Sequence, residues 1–308
     1  MRPVSDLIRD PDLWGGLNRP DIAREEADVV VCGIPYEGGI SIPCRSGTAE
    51  APRAVRDLTC SICPTTEDFE VMNLKLLDLG DADASDRDAL FAYVEALATE
   101  LVRTGKFFTF IGGDHSVSIP IMRGIDRAIG HEFGILYLDA HFDLCDELNG
   151  DRLSHGCTAR RAVELAHISS AENIFFVGVR SSETCESEFV RYNPVNVIGA
   201  RELRKIGVDE ALNQIRDQMG RFQSLYLTID IDALDPAFAP GTGTPQSGGL
   251  DARELLDLLR GLMKLPIVGF DLVEISPPLD DPSGITLYAA RKILMECWGH
   301  HWRKNTWS

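Results

Sequence analysis

Short runs of almost wholly apolar residues recur along this 308-residue chain, at 28–32, 107–111, 135–138, 174–179, 195–198, 225–229 and 267–273. A strand without polar alternation shows water neither face and needs a cover on both. The segments between supply it: 88–104 (DALFAYVEALATELVRT) and 252–263 (ARELLDLLRGLM) place apolar residues at helical spacing. Strand and helix patterns in alternation predict an α/β protein, with a parallel sheet between two layers of helices. No internal repeat, low-complexity segment or linker divides the sequence, so one domain over 1–308 is expected.

Composition narrows the class. No apolar stretch approaches the roughly 20 residues of a membrane span, and the amino-terminal MRPVSDLIRDPDLWGG lacks the apolar centre of a secretory signal. A cytoplasmic protein is expected. The formal net charge of −18, from 48 acidic and 30 basic side chains, repels nucleic acid and helps to gather a small cation. Solubility alone also explains acidity. The eight cysteines form no disulfide-like framework. Cys60 and Cys63 have C-x-x-C spacing without a second pair, and read as idle thiols whose redox or metal role is left open.

Four strands run straight into polar clusters. The run 107–111 leads to Gly112-Gly113-Asp114-His115-Ser116, and 135–138 to Asp139-Ala140-His141-Phe142-Asp143. The run 225–229 meets Asp230-Ile231-Asp232, and 267–273 meets Glu274-Ile275-Ser276-Pro277-Pro278. Open parallel sheets place ligands at the carboxyl ends of their strands, so these segments are expected to converge on one crevice.

In extended chain, residues two apart point to the same side, which puts Asp139, His141 and Asp143 in one row and repeats the pattern at Asp230 and Asp232. With His115 that makes four carboxylates and two imidazoles. Each piece has an ordinary reading: Asp-x-Asp is commonly a turn or cap device, and a histidine after two glycines a satisfied core residue. Together they form a cluster that two divalent cations would offset. Mainly oxygen donors with some nitrogen suit manganese best, with cobalt, nickel or zinc as alternatives.

These motifs, continuing into Pro240-Gly241-Thr242-Gly243-Thr244-Pro245 and Gly248-Gly249-Leu250, closely resemble the ureohydrolases, the arginases, agmatinases and other guanidino hydrolases. Gly33-Ile34-Pro35-Tyr36 and the segment 47–56 look like the family's amino-terminal part, and Asp271-Leu272-Val273-Glu274 like its late one, so the resemblance spans nearly the whole chain. It implies an arginase-like three-layer α/β/α sandwich around a mainly parallel, about eight-stranded sheet, and a homo-oligomer, trimer or hexamer. It also implies two manganese ions: His115 and Asp143 on one, His141 and Asp232 on the other, Asp139 and Asp230 bridging. Trp298, Trp302 and Trp307, crowded at the end of the chain, suggest a docked terminus or a subunit contact.

The implied chemistry is hydrolysis of a guanidinium to urea and an amine. Two metals lower the pKa of a shared water enough to supply hydroxide near neutral pH. By resemblance, Asp143 accepts a hydrogen bond from the nucleophile and relays a proton, Glu274 pairs with the guanidinium, and His155, in Ser154-His155-Gly156-Cys157-Thr158, shuttles a proton to the leaving amine. His131, His167, His300 and His301 match no motif and read as surface or packing residues.

The substrate's tail is expected against 144–153 and 179–183. By resemblance, arginases place an asparagine two residues past the position of Asp143 and use it, together with a serine, to hold an α-carboxylate; Cys145 stands there, a poor hydrogen-bonding group that argues against an amino acid. Glu183 is a candidate partner for a tail ammonium. Agmatine, yielding putrescine, is the leading substrate, although Ala49 and Ala51 depart from the arginine and glycine common in agmatinases. Guanidinobutyrate, guanidinopropionate, guanidine and arginine are the alternatives. A catalytically silent regulatory homologue would be expected to have lost metal ligands, and all six are present. A metal-dependent deacetylase on a related scaffold would have little use for Glu274.

Overall fold

All seven apolar runs become strands, and an eighth joins them at one edge. The computed structural model describes residues 3–60, 62–82 and 86–306. Its strands are β1 (Val29–Ile34), β2 (Leu76–Asp81), β3 (Phe107–Gly112), β4 (Gly134–Leu138), β5 (Ile174–Val177), β6 (Asn196–Ile198), β7 (Leu225–Asp230) and β8 (Ile267–Val273). They form one sheet in the order β2-β1-β3-β8-β7-β4-β5-β6, parallel throughout.

Alternate residues of each strand serve opposite cores. Val29 and Val31, Leu136 and Leu138, and Leu225, Leu227 and Ile229 pack with helices Ala51–Asp57, Ala200–Ile206, Val208–Met219, Ala252–Leu262 and Ile285–Thr306. Val30, Cys32, Ile135, Tyr137 and Tyr226 pack on the other side with helices Arg87–Arg103, Ser118–Ala128 and Thr158–Ala162. The result is the expected three-layer sandwich. Helix Arg87–Arg103 starts where the Asp86 carboxylate accepts from the Asp88 N–H, and buries Leu90, Val94, Leu97 and Leu101 at helical spacing. A capping box between Asp251 and Glu254 opens Ala252–Leu262, which buries Leu255, Leu258, Leu259 and Leu262.

Strand β2 escaped the sequence reading because its apolar run, LLDLGD, is broken by Asp78. That carboxylate is nevertheless 3% exposed. Arg56 and Trp14 hold it inside, with Arg56 Nε donating at 2.8 Å and Trp14 Nε1 at 2.8 Å to the same oxygen. The carboxyl-terminal helix is docked: Trp298 is buried edge-on against Trp14, ring centroids 5.2 Å apart, and its Nε1–H donates to Thr109 Oγ1 at 2.9 Å. Trp302 is partly buried on the same core, while Trp307 lies outside the described residues. No helix among the described residues is long and apolar enough to cross a membrane.

The topology positions the site. The chain leaves β3 for β4 without pairing the two strands, and β7 and β8 return to fill the gap. The four strands with polar clusters at their carboxyl ends, β3, β8, β7 and β4, are therefore consecutive in the middle of the sheet.

Candidate active site

Each strand delivers its side chain through a turn of defined geometry. After β3, a Cβ on Gly113 would lie 1.7 Å from the Tyr36 carbonyl oxygen, so only glycine admits this approach. The Asp114 carboxylate accepts from the Ser116 N–H within the turn and from the Gly39 N–H in the loop after β1, which fixes the turn that carries His115. After β4 and β8, Asp143 (φ 53°) and Glu274 (φ 62°) adopt the left-handed conformation that branched or charged residues rarely occupy. Strain of about 1–2 kcal/mol per residue collects at two positions of proposed function.

All six predicted metal ligands come together. His115 Nδ1 lies 3.1 Å from Asp139 Oδ2, 3.1 Å from Asp143 Oδ2 and 3.3 Å from Asp230 Oδ2. His141 Nδ1 lies 3.4 Å from Asp139 Oδ1 and 3.1 Å from Asp232 Oδ2. Three of the four carboxylates have one oxygen held by a backbone N–H: Asp139 Oδ1 by His141, Asp232 Oδ1 by Ala140, and Asp230 Oδ1 by Asp232, at 2.6, 3.0 and 2.7 Å. The remaining oxygens are left for the cluster. Tyr137 Oη donates to Asp143 Oδ2 at 2.8 Å, and His115 Nε2 lies 2.9 Å from Thr228 Oγ1, which leaves Nδ1 turned inward.

By themselves these groups are in electrostatic conflict. Burial first, then the charges of Asp232 and Asp143, push Asp139 up to about 6. Burial, Asp232 and Asp139 drive Asp230 well above the usual carboxylate range. Asp232 goes the other way: burial opposes it, but the hydrogen bond with His141 holds it at about 2. Burial likewise opposes a charged His141, yet Asp139 and Asp232 lift it to about 12.

Two groups of donors, His115 with Asp139 and Asp143, and Asp139 with His141 and Asp232, each keep their ligand atoms within 4.8 Å of one another. Asp139 belongs to both, as a bridging ligand must. Its Oδ2 is buried and, with His115 Nδ1 3.1 Å away, takes no well-formed hydrogen bond from the described residues. A buried carboxylate with one oxygen toward His115 and the other toward His141 fits a pair of divalent cations. Asp230, the other expected bridge, contributes an oxygen near His115 but completes neither group.

A cavity of about 210 Å³ opens above the cluster, with Ser41, Cys145, His155, Glu183, Glu186 and Gln246 in its wall. None of the described residues lining it is lysine or arginine. His155 stands over the carboxylates and pairs through Nδ1 with Glu274 Oε1 at 3.0 Å. Burial disfavours its charged form, but Glu274 outweighs that and lifts His155 to about 9. Glu274 is 2% exposed; its Oε1 is shared with the His115 N–H at 2.8 Å, and Oε2 takes no hydrogen bond from the described residues. Cys145 is buried in the wall, where the resemblance placed it.

Glu183 lies exposed at the cavity rim, and the more telling acid is one the sequence reading missed. Glu186 is 3% exposed, accepts from the Leu144 and Glu183 N–H groups at 3.0 and 2.7 Å, and lines the same cavity. Burial, then the charge of Asp143, pushes it up to about 7. Its spacing of three from Glu183 at a helix start was the available signal. Ser41, Tyr137 and Thr228 were also missed, since nothing local marks a serine, tyrosine or threonine that serves a distant histidine or aspartate.

Outside this crevice the other candidates take structural places. Cys60 and Cys63 belong to neither donor group. His167 Nδ1 lies 3.0 Å from Asp126 Oδ1, and His301 stacks on Phe107 with centroids 3.8 Å apart.

Comparison with known proteins agrees with this geometry. A family model described as the arginase family matches residues 27–299. A guanidinobutyrase of Pseudomonas aeruginosa is 33% identical over 273 residues, covering 86% of this chain and 84% of its own. An agmatinase of Neisseria meningitidis serogroup A is 35% identical over 281 residues, covering 89% and 87%. Among solved structures, the proclavaminate amidino hydrolase of Streptomyces clavuligerus superposes with a TM-score of 0.83 at 32% identity, covering 93% of this chain and 95% of the other.

Proposed function

The chain belongs to the arginase family, hydrolases of guanidino C–N bonds, and from that membership we propose that it is a manganese-dependent agmatinase releasing putrescine and urea. The observation that carries the choice of substrate is the cavity wall: besides the cluster's Asp143 and Asp230 it holds two further acids, Glu183 and Glu186, and no lysine or arginine among the described lining residues. A substrate cationic at both ends finds partners there. A carboxylate tail finds no lysine or arginine among the described lining residues, only neutral donors beside two acids, and a buried charge without a counter-charge forfeits binding energy.

His115, Asp139, Asp143, His141, Asp232 and Asp230 would hold two Mn²⁺, with Asp139 shared between them. When bound, such a pair supplies a water acidified enough to act as nucleophile near neutral pH. Asp143, fixed by Tyr137, would orient the attacking water by accepting its hydrogen bond. Glu274 Oε2 receives a guanidinium N–H, a charge-assisted contact that an ordinary amide could not reproduce. His155, held by Glu274 at its other nitrogen, protonates the departing amine. Glu186, with Glu183 at the rim, takes the tail ammonium. Cys145 offers an α-carboxylate no donor comparable to asparagine.

One sheet running through both halves supports a single ureohydrolase domain over 1–308. Eight cysteines without a disulfide-like framework suit a reducing cytoplasm. A trimer or hexamer is carried by family resemblance alone. The decisive experiment is urea release from a panel of guanidino compounds after loading with Mn²⁺. Agmatine is expected to have the highest kcat/KM, and a guanidinobutyrate value above it would remove the substrate assignment while leaving the family intact.

A further inference from the structure

If His155 is the proton donor to the leaving amine, as the reading above has it, its contacts restrict how that proton can travel. Nδ1 faces Glu274 Oε1 at 3.0 Å, a carboxylate oxygen that only accepts, so Nδ1 carries a proton whichever charge the ring has. Nε2 lies 2.8 Å from Ser41 Oγ and 3.1 Å from the Ser41 backbone nitrogen. As imidazolium, the ring donates Nε2–H to Oγ. As neutral imidazole, it accepts from the hydroxyl and from the Ser41 N–H. In both states the partner of Nε2 is Ser41.

We propose that the Ser41 hydroxyl is the relay through which His155 delivers its proton to the departing amine. The hydroxyl lies 2.8 Å from the imidazole, and both Ser41 and His155 line the cavity a substrate would fill. As the C–N bond breaks, its electron pair stays on the amine nitrogen, which takes the Oγ proton. Oγ takes the Nε2 proton in the same movement, and His155 is left neutral. The proton released by the hydrolytic water reloads Nε2 over the same hydroxyl in reverse, so the cycle closes without any further reactant.

The hydroxyl is not needed to hold its own loop. Asn149 Nδ2 donates to the Ser41 carbonyl at 3.2 Å, and the Gly39 carbonyl accepts from the His155 N–H and from Ser154 Oγ at 3.0 and 2.8 Å. These bonds involve the main chain of the loop and survive truncation at Ser41. A side chain whose only hydrogen-bond partner among the described residues is Nε2 is placed for traffic at that nitrogen.

The test compares Ser41→Ala, Ser41→Thr and His155→Asn in the full-length, Mn²⁺-loaded enzyme, on whichever guanidino compound the wild type hydrolyses best. Ser41→Ala is expected to lower kcat by roughly 10- to 100-fold with KM nearly unchanged, at the low end of general acid–base effects. Ser41→Thr, which keeps the hydroxyl, restores most of the rate. A proton inventory in mixed light and heavy water is curved for the wild type and linear for Ser41→Ala. Wild-type kcat in Ser41→Ala alongside a slow His155→Asn overturns the relay and leaves the shuttle. Equal losses in Ser41→Ala and Ser41→Thr overturn it as well, because packing would then explain both. Wild-type kcat in His155→Asn instead removes the shuttle on which the relay rests.

Discussion

Two clusters of ionised side chains are buried against the same sheet, and they are settled in opposite ways. Beside β2, Arg56 and Asp78 have fully buried side chains. Arg56 Nε and Nη2 donate to the two oxygens of Asp78 at 2.8 and 2.9 Å, Nη1 reaches Asp81, and Nη2 also reaches the Gly80 carbonyl. Trp14 and the Gly80 N–H complete the acceptor capacity of Asp78. At the ends of β3, β7 and β4, four carboxylates share two imidazoles, and Asp139 Oδ2 is left with no well-formed hydrogen bond among the described residues. Burial is common to both clusters. Saturation separates them: a cluster that satisfies itself serves the fold, while one that is short of positive charge and donors is prepared for something else.

The largest effect should come from breaking the unsaturated cluster at its shared member. Asp139→Asn is expected to reduce turnover by roughly 1000-fold or more, since loss of a pre-organised charged group at a reaction centre has that scale, and to bind fewer than two Mn²⁺ by elemental analysis. Its metal-free fold should not suffer. A carboxyl raised to about 6 costs stability as pH rises above its unfolded value near 3.9, so neutralising it should stabilise the metal-free protein at pH 7 by on the order of 3 kcal/mol. Urea unfolding after chelation measures this. A metal-free Asp139→Asn protein markedly less stable than wild type would erase the distinction between the two clusters.

Asp78→Ala attacks the saturated cluster and should invert the pattern. It strands a buried guanidinium, a loss of about 3–5 kcal/mol for broken buried pairs. Molecules that remain folded should keep two Mn²⁺ and near-normal kcat, because nothing in that cluster touches the crevice. Denaturant midpoints set beside activity per bound metal separate the outcomes.

The same contrast explains what could be read from the sequence. Strands β3, β4, β7 and β8 announced themselves because continuous apolar runs end abruptly in charge, and their convergence followed from the strand-end rule before any coordinates. Strand β2 did not, because its charge is compensated by Arg56 and Trp14, distant in sequence. Pairing of this kind leaves no local periodicity. Within the crevice, Asp139, His141, Asp143, Asp230 and Asp232 carried a spacing signal. Tyr137, Thr228 and Ser41 act through single contacts made by the fold and looked like ordinary strand or loop residues.

Glu186 stands between the two clusters and gives the finest test of the comparison. It is buried and accepts two backbone N–H bonds, as a structural acid does, yet it faces the cavity and is pushed up to about 7 by burial first and Asp143 second. Burial persists when the neighbouring carboxylates are neutralised. As pH falls through 7 the carboxylate becomes neutral and a cationic tail loses its counter-charge, so KM for agmatine should rise on the acid side while kcat changes less. Glu186→Gln should raise KM at pH 8 by about tenfold, one charge-assisted contact or roughly 1.4 kcal/mol, and abolish that rise at lower pH. The stability sign is opposite. A carboxyl raised above its unfolded pKa contributes stability below that value and loses it as pH climbs through 7, so Glu186→Gln should gain on the wild type between about pH 5 and 8. If KM for agmatine proves independent of pH across this window in both proteins, Glu186 belongs with Asp78 among the structural acids, and the tail ammonium must be held at the rim by Glu183.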